Sequence, residues 1–183
     1  HAVIVFDNSF SKLRRLQNNI NQRISTSSLQ PKALAKALKR ADVVISAQQV
    51  GNGKVPCVVS EDMVIDMKSG AVVIDVSIDQ GGSFETSELT THKYPTYIKH
   101  EVIHYCVPNI PSRVSRTASI AISNILTPIL LVIAEEGGVS NTIKRHESLR
   151  NGTYTFNGSL TNENLSKNFN LPFKDLDLIM STI

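Results

Sequence analysis

Two cysteines in 183 residues are too few for a disulfide-built fold. Cys57 lies in VPCVV and Cys106 in HYCVP, neither in a CxxC pair, so both are expected as reduced core thiols of a cytoplasmic protein. Charge of one sign is also scarce. The net charge is +3 and no segment concentrates the Lys and Arg, which argues against a nucleic-acid partner. The most basic segment, KALAKALKR (32–40), reads as the outer face of one helix. The longest apolar run, near 125–134, contains Thr127 and Pro128 and is expected to be too short for a bilayer. No targeting pattern follows His1, and there is no internal repeat or low-complexity tract. His100 and His104 stand four apart at a strand end with no third ligand nearby, so no metal site is expected. Finally, no glycine-rich loop precedes the first apolar run.

What is present is ordinary in bulk and specific in order. Apolar residues make up 41% and charged residues 19%, as in a globular chain that can bury a core. AVIVF (2–6) reads as a buried strand. Residues 10–20 place Phe10, Leu13, Leu16 and Ile20 on one helical face. Residues 22–26 can hold a short strand. Pro31 opens a helix with Leu34, Ala37 and Leu38 on one face, and residues 42–46 form the next strand. GNGKVP (51–56) is a loop, and Ser60 caps a short helix with Met63 and Met67 on its apolar side. AVVIDV (71–76) is apolar on both faces, as a central parallel strand is, and 101–107 reads as another strand. Strands alternating with helices predict an α/β fold, a doubly wound Rossmann-like parallel sheet. A long apolar helix follows at about 117–136, closed by Gly137-Gly138, and Ser115, Arg116 and Thr117 before it can cap it or touch a phosphate, the cap being the expected role. The tail is polar and Asn-rich, with short helices expected at 161–169 and 174–180.

In such a sheet ligands bind beyond the carboxyl ends of the strands. Asp7 follows the first strand, Gln48 and Gln49 the strand at 42–46, and Asp79 the strand at 71–76. An acid at the end of a strand can accept hydrogen bonds from ribose hydroxyls and repel a 2′-phosphate, or it can cap the next helix. Asp79-Gln80-Gly81-Gly82 can bring backbone close to a ligand, or can simply turn. Asp75 lies inside an apolar strand and needs a partner.

The run VVIDVSIDQGGSFETSELTTHKYPTYIKHEVIHYCVPNIPSRVSRTAS (72–119) resembles the alanine dehydrogenase family. That family carries D-x-A-I-D-Q-G-G, then T-T-H-x-x-P-T-Y, then H-Y-C-V-x-N-x-P, and all three occur here in order, with Ser77 in place of the usual Ala. The resemblance extends more loosely over the chain. It implies an NAD-dependent enzyme converting L-alanine to pyruvate and ammonium, reversibly, and working as a homo-hexamer. It implies that this chain is the C-terminal half, incomplete at its N-terminal end, beginning at the second strand of the NAD domain. Residues 1–115 would then be that domain, and 116–183 a long helix with a segment packing on a substrate domain. By the same resemblance Asp7 binds the adenosine ribose, Lys12 lies beside it, and Ser28 or Ser27 lies near the adenine. Ile78, Asp79, Asn109 and Ile110 line the nicotinamide end, and Asp79 is the catalytic aspartate. Gln48 is expected as a further cofactor contact from its own place after the strand at 42–46. AQQVGNGKVP (47–56) departs from the apolar, Pro-Gly-containing loop usual in the family. Three other readings are a transhydrogenase-type subunit passing hydride between nucleotides, a non-catalytic NAD-binding module, and a methyltransferase with an acid after its second strand.

Overall fold

A computed structural model of the chain describes residues 2–20, 24–50 and 53–181. Residues 22–23 of one expected strand and 51–52 of one expected loop lie outside the described residues. The chain divides into two compact units, residues 1–109 and 110–183.

The first unit is built from βαβ steps. Strand β1 (Ile4–Phe6) leads into helix α1 (Phe10–Asn19), then strand β2 (Ser25–Ser27), which pairs parallel to β1. Ser9 caps α1 by accepting a hydrogen bond from the Lys12 N–H. Helix α2 (Pro31–Leu38) starts on its proline, whose missing N–H costs nothing in the first turn. Strand β3 (Val43–Ser46), helix α3 (Glu61–Ile65) capped by Ser60, and strand β4 (Val72–Asp75) follow, with β3 parallel to β4. Strands β5 (Thr96–Lys99) and β6 (Val102–Tyr105) form an antiparallel hairpin, and β6 runs parallel to β4. The second sheet therefore has the order β3-β4-β6-β5. The core is Leu34 and Leu38 of α2, Val64 of α3, Val73 of β4 and Val102 of β6, joined by Val59, Met67, Ala71 and Phe84. Phe6 of β1 packs against it. This is the α/β architecture expected, but its parallel strands fall into two sheets, because no described strand pairs the free edges of β1 and β3.

Several local expectations change. The segment read as one strand at 101–107 is the second arm of a hairpin. Its turn, His100-Glu101, takes positive φ angles of 52° and 60°, the geometry that suits the twist of a two-residue hairpin. Phe10 is 77% exposed, and only Leu13 of α1 is buried. Cys57 is exposed, unlike Cys106, although Val55 and Val59 on either side of it are buried.

In the second unit a 3-10 turn, Ile110–Val114, runs into helix α4 (Ser115–Glu135). Ser115, Arg116 and Thr117 do not cap α4, since the cap position is Val114 and no side chain bonds there. The helix also runs through Pro128. With its leading turn it spans 26 residues, long and apolar enough to cross a membrane by length and composition, so the shorter run counted in the sequence understates it. Ser123, Asn124 and Thr127 interrupt its apolar surface; a core helix of a soluble protein passes the same test when mostly buried, and none of this helix's apolar window is buried here. Short helices α5 (Val139–Arg145) and α6 (Glu147–Asn151), a hairpin of β7 (Thr155–Phe156) and β8 (Ser159–Leu160), and helices α7 (Glu163–Phe169) and α8 (Leu176–Ser181) complete the tail. Ile143, Phe156, Leu176 and Met180 form its small core.

Candidate functional site

The candidate residues of the first unit sit just past the carboxyl ends of strands. Asp7 follows β1. Its Oδ1 accepts the Ser9 N–H at 2.7 Å, and its own N–H bonds the Ser27 carbonyl at 3.3 Å. The carboxylate therefore stiffens the turn into α1 without being the cap, and its second oxygen has no partner among the described residues. Asp7 and Lys12 share the wall of a ≈ 290 Å³ cavity with Val5, Leu13, Leu16 and Asn19. Ser28 follows β2, and its carbonyl accepts from the Ser27 hydroxyl at 3.1 Å and the Gln30 N–H at 2.8 Å. The β1–β2 register, Phe6 opposite Ser27, brings Asp7 and the Ser27-Ser28 pair to one edge.

A second group surrounds the end of β4. Ile78–Gln80 is a 3-10 turn closed by Gly81 at φ 104°. Gly81 and Gly82, at φ 79°, hold left-handed conformations that a side chain would strain. Ile78 is buried at 7% exposure and anchors the turn, whereas Asp79 is exposed. The Asp79 carboxylate has no hydrogen bond or ion pair among the described residues, and the neighbouring Gln80 Oε1 is buried without a partner. Gln48 reaches this loop through its backbone, its carbonyl accepting the Ser77 hydroxyl at 2.9 Å. Asn109 follows β6 with φ 53° and is exposed. Ile110 opens the second unit. A cavity of ≈ 630 Å³ borders Gly81 and Gly82 and is lined also by Lys54, Cys57, Glu85 and Ser87.

Behind Asp79 lies a buried polar chain that the sequence reading did not assemble. Asp75 accepts from Ser77, Ser83 and Ser87. Ser87 lies 3.8 Å from Cys106 Sγ, and that sulfur lies 3.7 Å from the Tyr97 hydroxyl. The Tyr97 hydroxyl donates to the Thr86 carbonyl and accepts the Glu88 N–H, both at 2.7 Å. Burial, with Cys106 beside it, pushes the Tyr97 phenol well above its ordinary range. His104 is fully buried and stacks on Tyr97 with ring centroids 5.0 Å apart. Its Nδ1 faces the Val102 carbonyl at 3.0 Å, which can only accept, so Nε2 takes the Thr86 hydroxyl proton at 2.8 Å. Burial holds this imidazole neutral, below its ordinary pKa. His100, the other member of the histidine pair, instead bonds Glu61 at 2.6 Å. The one sequence signal for this chain was a carboxylate inside an apolar strand.

Comparison with known proteins decides what this frame is. Residues 1–163 match the family described as alanine dehydrogenase/PNT, C-terminal domain. The chain belongs to this family. Alanine dehydrogenase 2 of Staphylococcus aureus (strain USA300) is 37% identical over 176 residues, covering 96% of this chain and 47% of that protein. A solved L-alanine dehydrogenase superposes with a TM-score of 0.83 at 30% identity, covering 92% of this chain and 46% of its own. A transhydrogenase from Sinorhizobium meliloti matches with a TM-score of 0.64 at 20% identity, over 73% of this chain and 38% of that one, a likeness of fold alone. The chain thus spans about half the length of the alanine dehydrogenases it matches. Within the family frame the Rossmann-like sheet is the expected one, and Asp79 stands exposed beyond the end of β4.

Proposed function

We propose that this chain is the nucleotide-binding part of an enzyme that oxidises L-alanine to pyruvate and ammonium with NAD, reversibly. The observation that carries this reading is the Asp79 carboxylate, exposed and unengaged on a glycine-closed turn beyond the end of β4. Residues at both ends fit a dinucleotide. Asp7 has one oxygen to spare for a ribose hydroxyl, and its charge disfavours the 2′-phosphate of NADP. Gln80 Oε1 is a buried acceptor still lacking a donor, beside Asp79. Lys12, Ser28 and Gln48 are assigned to the adenosine side and the strand-end floor, and Ile78, Asn109 and Ile110 to the nicotinamide end. Residues 116–183 are assigned to packing on the substrate domain, and the whole enzyme to a homo-hexamer.

The nicotinamide, when bound, supplies the hydride acceptor. The chain's own task is to orient it and to handle protons. Oxidation of the amine leaves an imine, water adds to it, and the carbinolamine collapses to pyruvate and ammonium. A carboxylate without a structural partner can hold that water or take its proton, and Asp79 is such a group.

Asp79→Asn tests the assignment in the full-length enzyme. Asparagine keeps the shape but cannot accept a proton, so turnover with L-alanine is expected to fall by ~10²-fold or more. NAD affinity is expected to hold, because Asp7 is untouched. Near-normal turnover would remove Asp79 from the chemistry, and joint loss of turnover and NAD binding would make it structural.

A further inference from the structure

Asp75 ends β4 and is wholly buried, yet no step of the chemistry above uses it. Among the described residues it has no ion pair. A buried carboxylate without a cation is costly unless hydrogen bonds offset the lost water. Three do so here. Oδ1 accepts the Ser77 N–H at 3.0 Å, and Oδ2 accepts the Ser83 N–H and the Ser87 hydroxyl, each at 2.7 Å. Ser77 and Ser83 are the two ends of the loop that displays Asp79, so one side chain grips both. The grip is close. At Gly82 a Cβ would come within 3.0 Å of Asp75 Oδ2 and of the Ser87 Cβ, so the loop lies too near the carboxylate for any side chain there. An apolar residue at this strand position would pack in the core and leave those two backbone N–H groups without partners.

We propose that Asp75 is a positioning residue: by clamping both ends of the Ser77–Ser83 loop, its carboxylate sets the direction in which Asp79 meets the substrate. The inference rests on the reading of Asp79 as catalytic and adds the group that aims it. Small errors of aim are expensive, since a misplacement of about 1 Å at a reacting group can cost ~10²-fold in rate.

The test is a double-mutant cycle in the full-length enzyme, comparing wild type, Asp75→Asn, Asp79→Asn and the double variant for L-alanine turnover and NADH binding. Asp75→Asn replaces one of the two accepting oxygens by an NH2, so at least one end of the loop loses its acceptor whichever way the amide faces. It is expected to lower kcat by ~10-fold or more, with NADH affinity nearly unchanged. In the Asp79→Asn background the same substitution is expected to cost nothing further, because there is no proton acceptor left to aim. Ser87→Ala removes one of the three bonds, with a smaller loss of kcat expected. If Asp75→Asn does not fold, the Ser87→Ala and Asp79→Asn cycle decides instead. Equal losses in both backgrounds, or no loss in the single variant, would overturn the inference while leaving Asp79 catalytic. Near-normal turnover in Asp79→Asn alone would overturn both.

Discussion

Three aspartates of the first unit show one side chain put to three uses by its surroundings. Asp7 spends one oxygen on the Ser9 N–H and keeps one, Asp75 spends both inside the protein, and Asp79 keeps both. The sequence placed Asp7 and Asp79 at strand ends and flagged Asp75 as needing a partner. It could not name the partners, because Ser83 and Ser87 lie eight and twelve residues further on and meet Asp75 only when Gly81 and Gly82 turn the chain back. The spare oxygen of Asp7 carries a prediction. The full-length enzyme should prefer NAD strongly over NADP, and Asp7→Gly should narrow that preference by removing both the ribose acceptor and the like charge. The ratio of kcat/KM for the two cofactors measures it, and an unchanged ratio in the variant would exclude Asp7 from the choice.

At the scale of elements, legibility followed burial. Strand β4 alternates between buried and half-buried positions in the middle of its sheet, and AVVIDV showed it plainly. Strand β5 escaped because it is a four-residue edge strand after Pro95, with alternate residues exposed. Helices α5 and α6 escaped because they bury little, only Thr142 and Ile143 of α5. The β5–β6 hairpin matters beyond its size, since its Tyr97 and His104 hold Thr86, next to the Asp75 partner Ser87. His104 gives the hairpin a pH dependence. Its folded pKa lies below the ordinary 6.5, so its contribution to stability is complete above that value. As pH falls below it, the unfolded chain takes up a proton that the folded chain refuses, and stability drops toward the lower folded pKa. Thermal midpoints of the full-length enzyme, followed from about pH 8 to about pH 5, should decline through this window, and His104→Gln should flatten the decline. An unaltered slope in the variant would assign the pH dependence to other groups.

At the scale of the whole molecule, the chain looks outward for its completion. Val43 and Ile45 of β3 and Ile4 of β1 are half or more exposed, beside strand edges that nothing described pairs. Ile120, Ile125, Leu130 and Leu131 of α4 are exposed as well, and no residue of that helix is buried. Apolar surface on this scale is expected to be covered in a stable protein, and free strand edges promote aggregation. Residues 1–183 expressed alone should therefore aggregate or unfold without a cooperative transition, and bind NAD negligibly. A sharp melt with micromolar NAD binding would refute that.

The central claim, that the Asp79 loop serves amino-acid oxidation, is tested most directly by assaying the full-length protein with L-alanine and NAD. NADH is expected to form with pyruvate and ammonium in equal amounts, with little hydride transfer between nucleotides when alanine is withheld. Hydride exchange between nucleotides with no alanine-dependent NADH would contradict it.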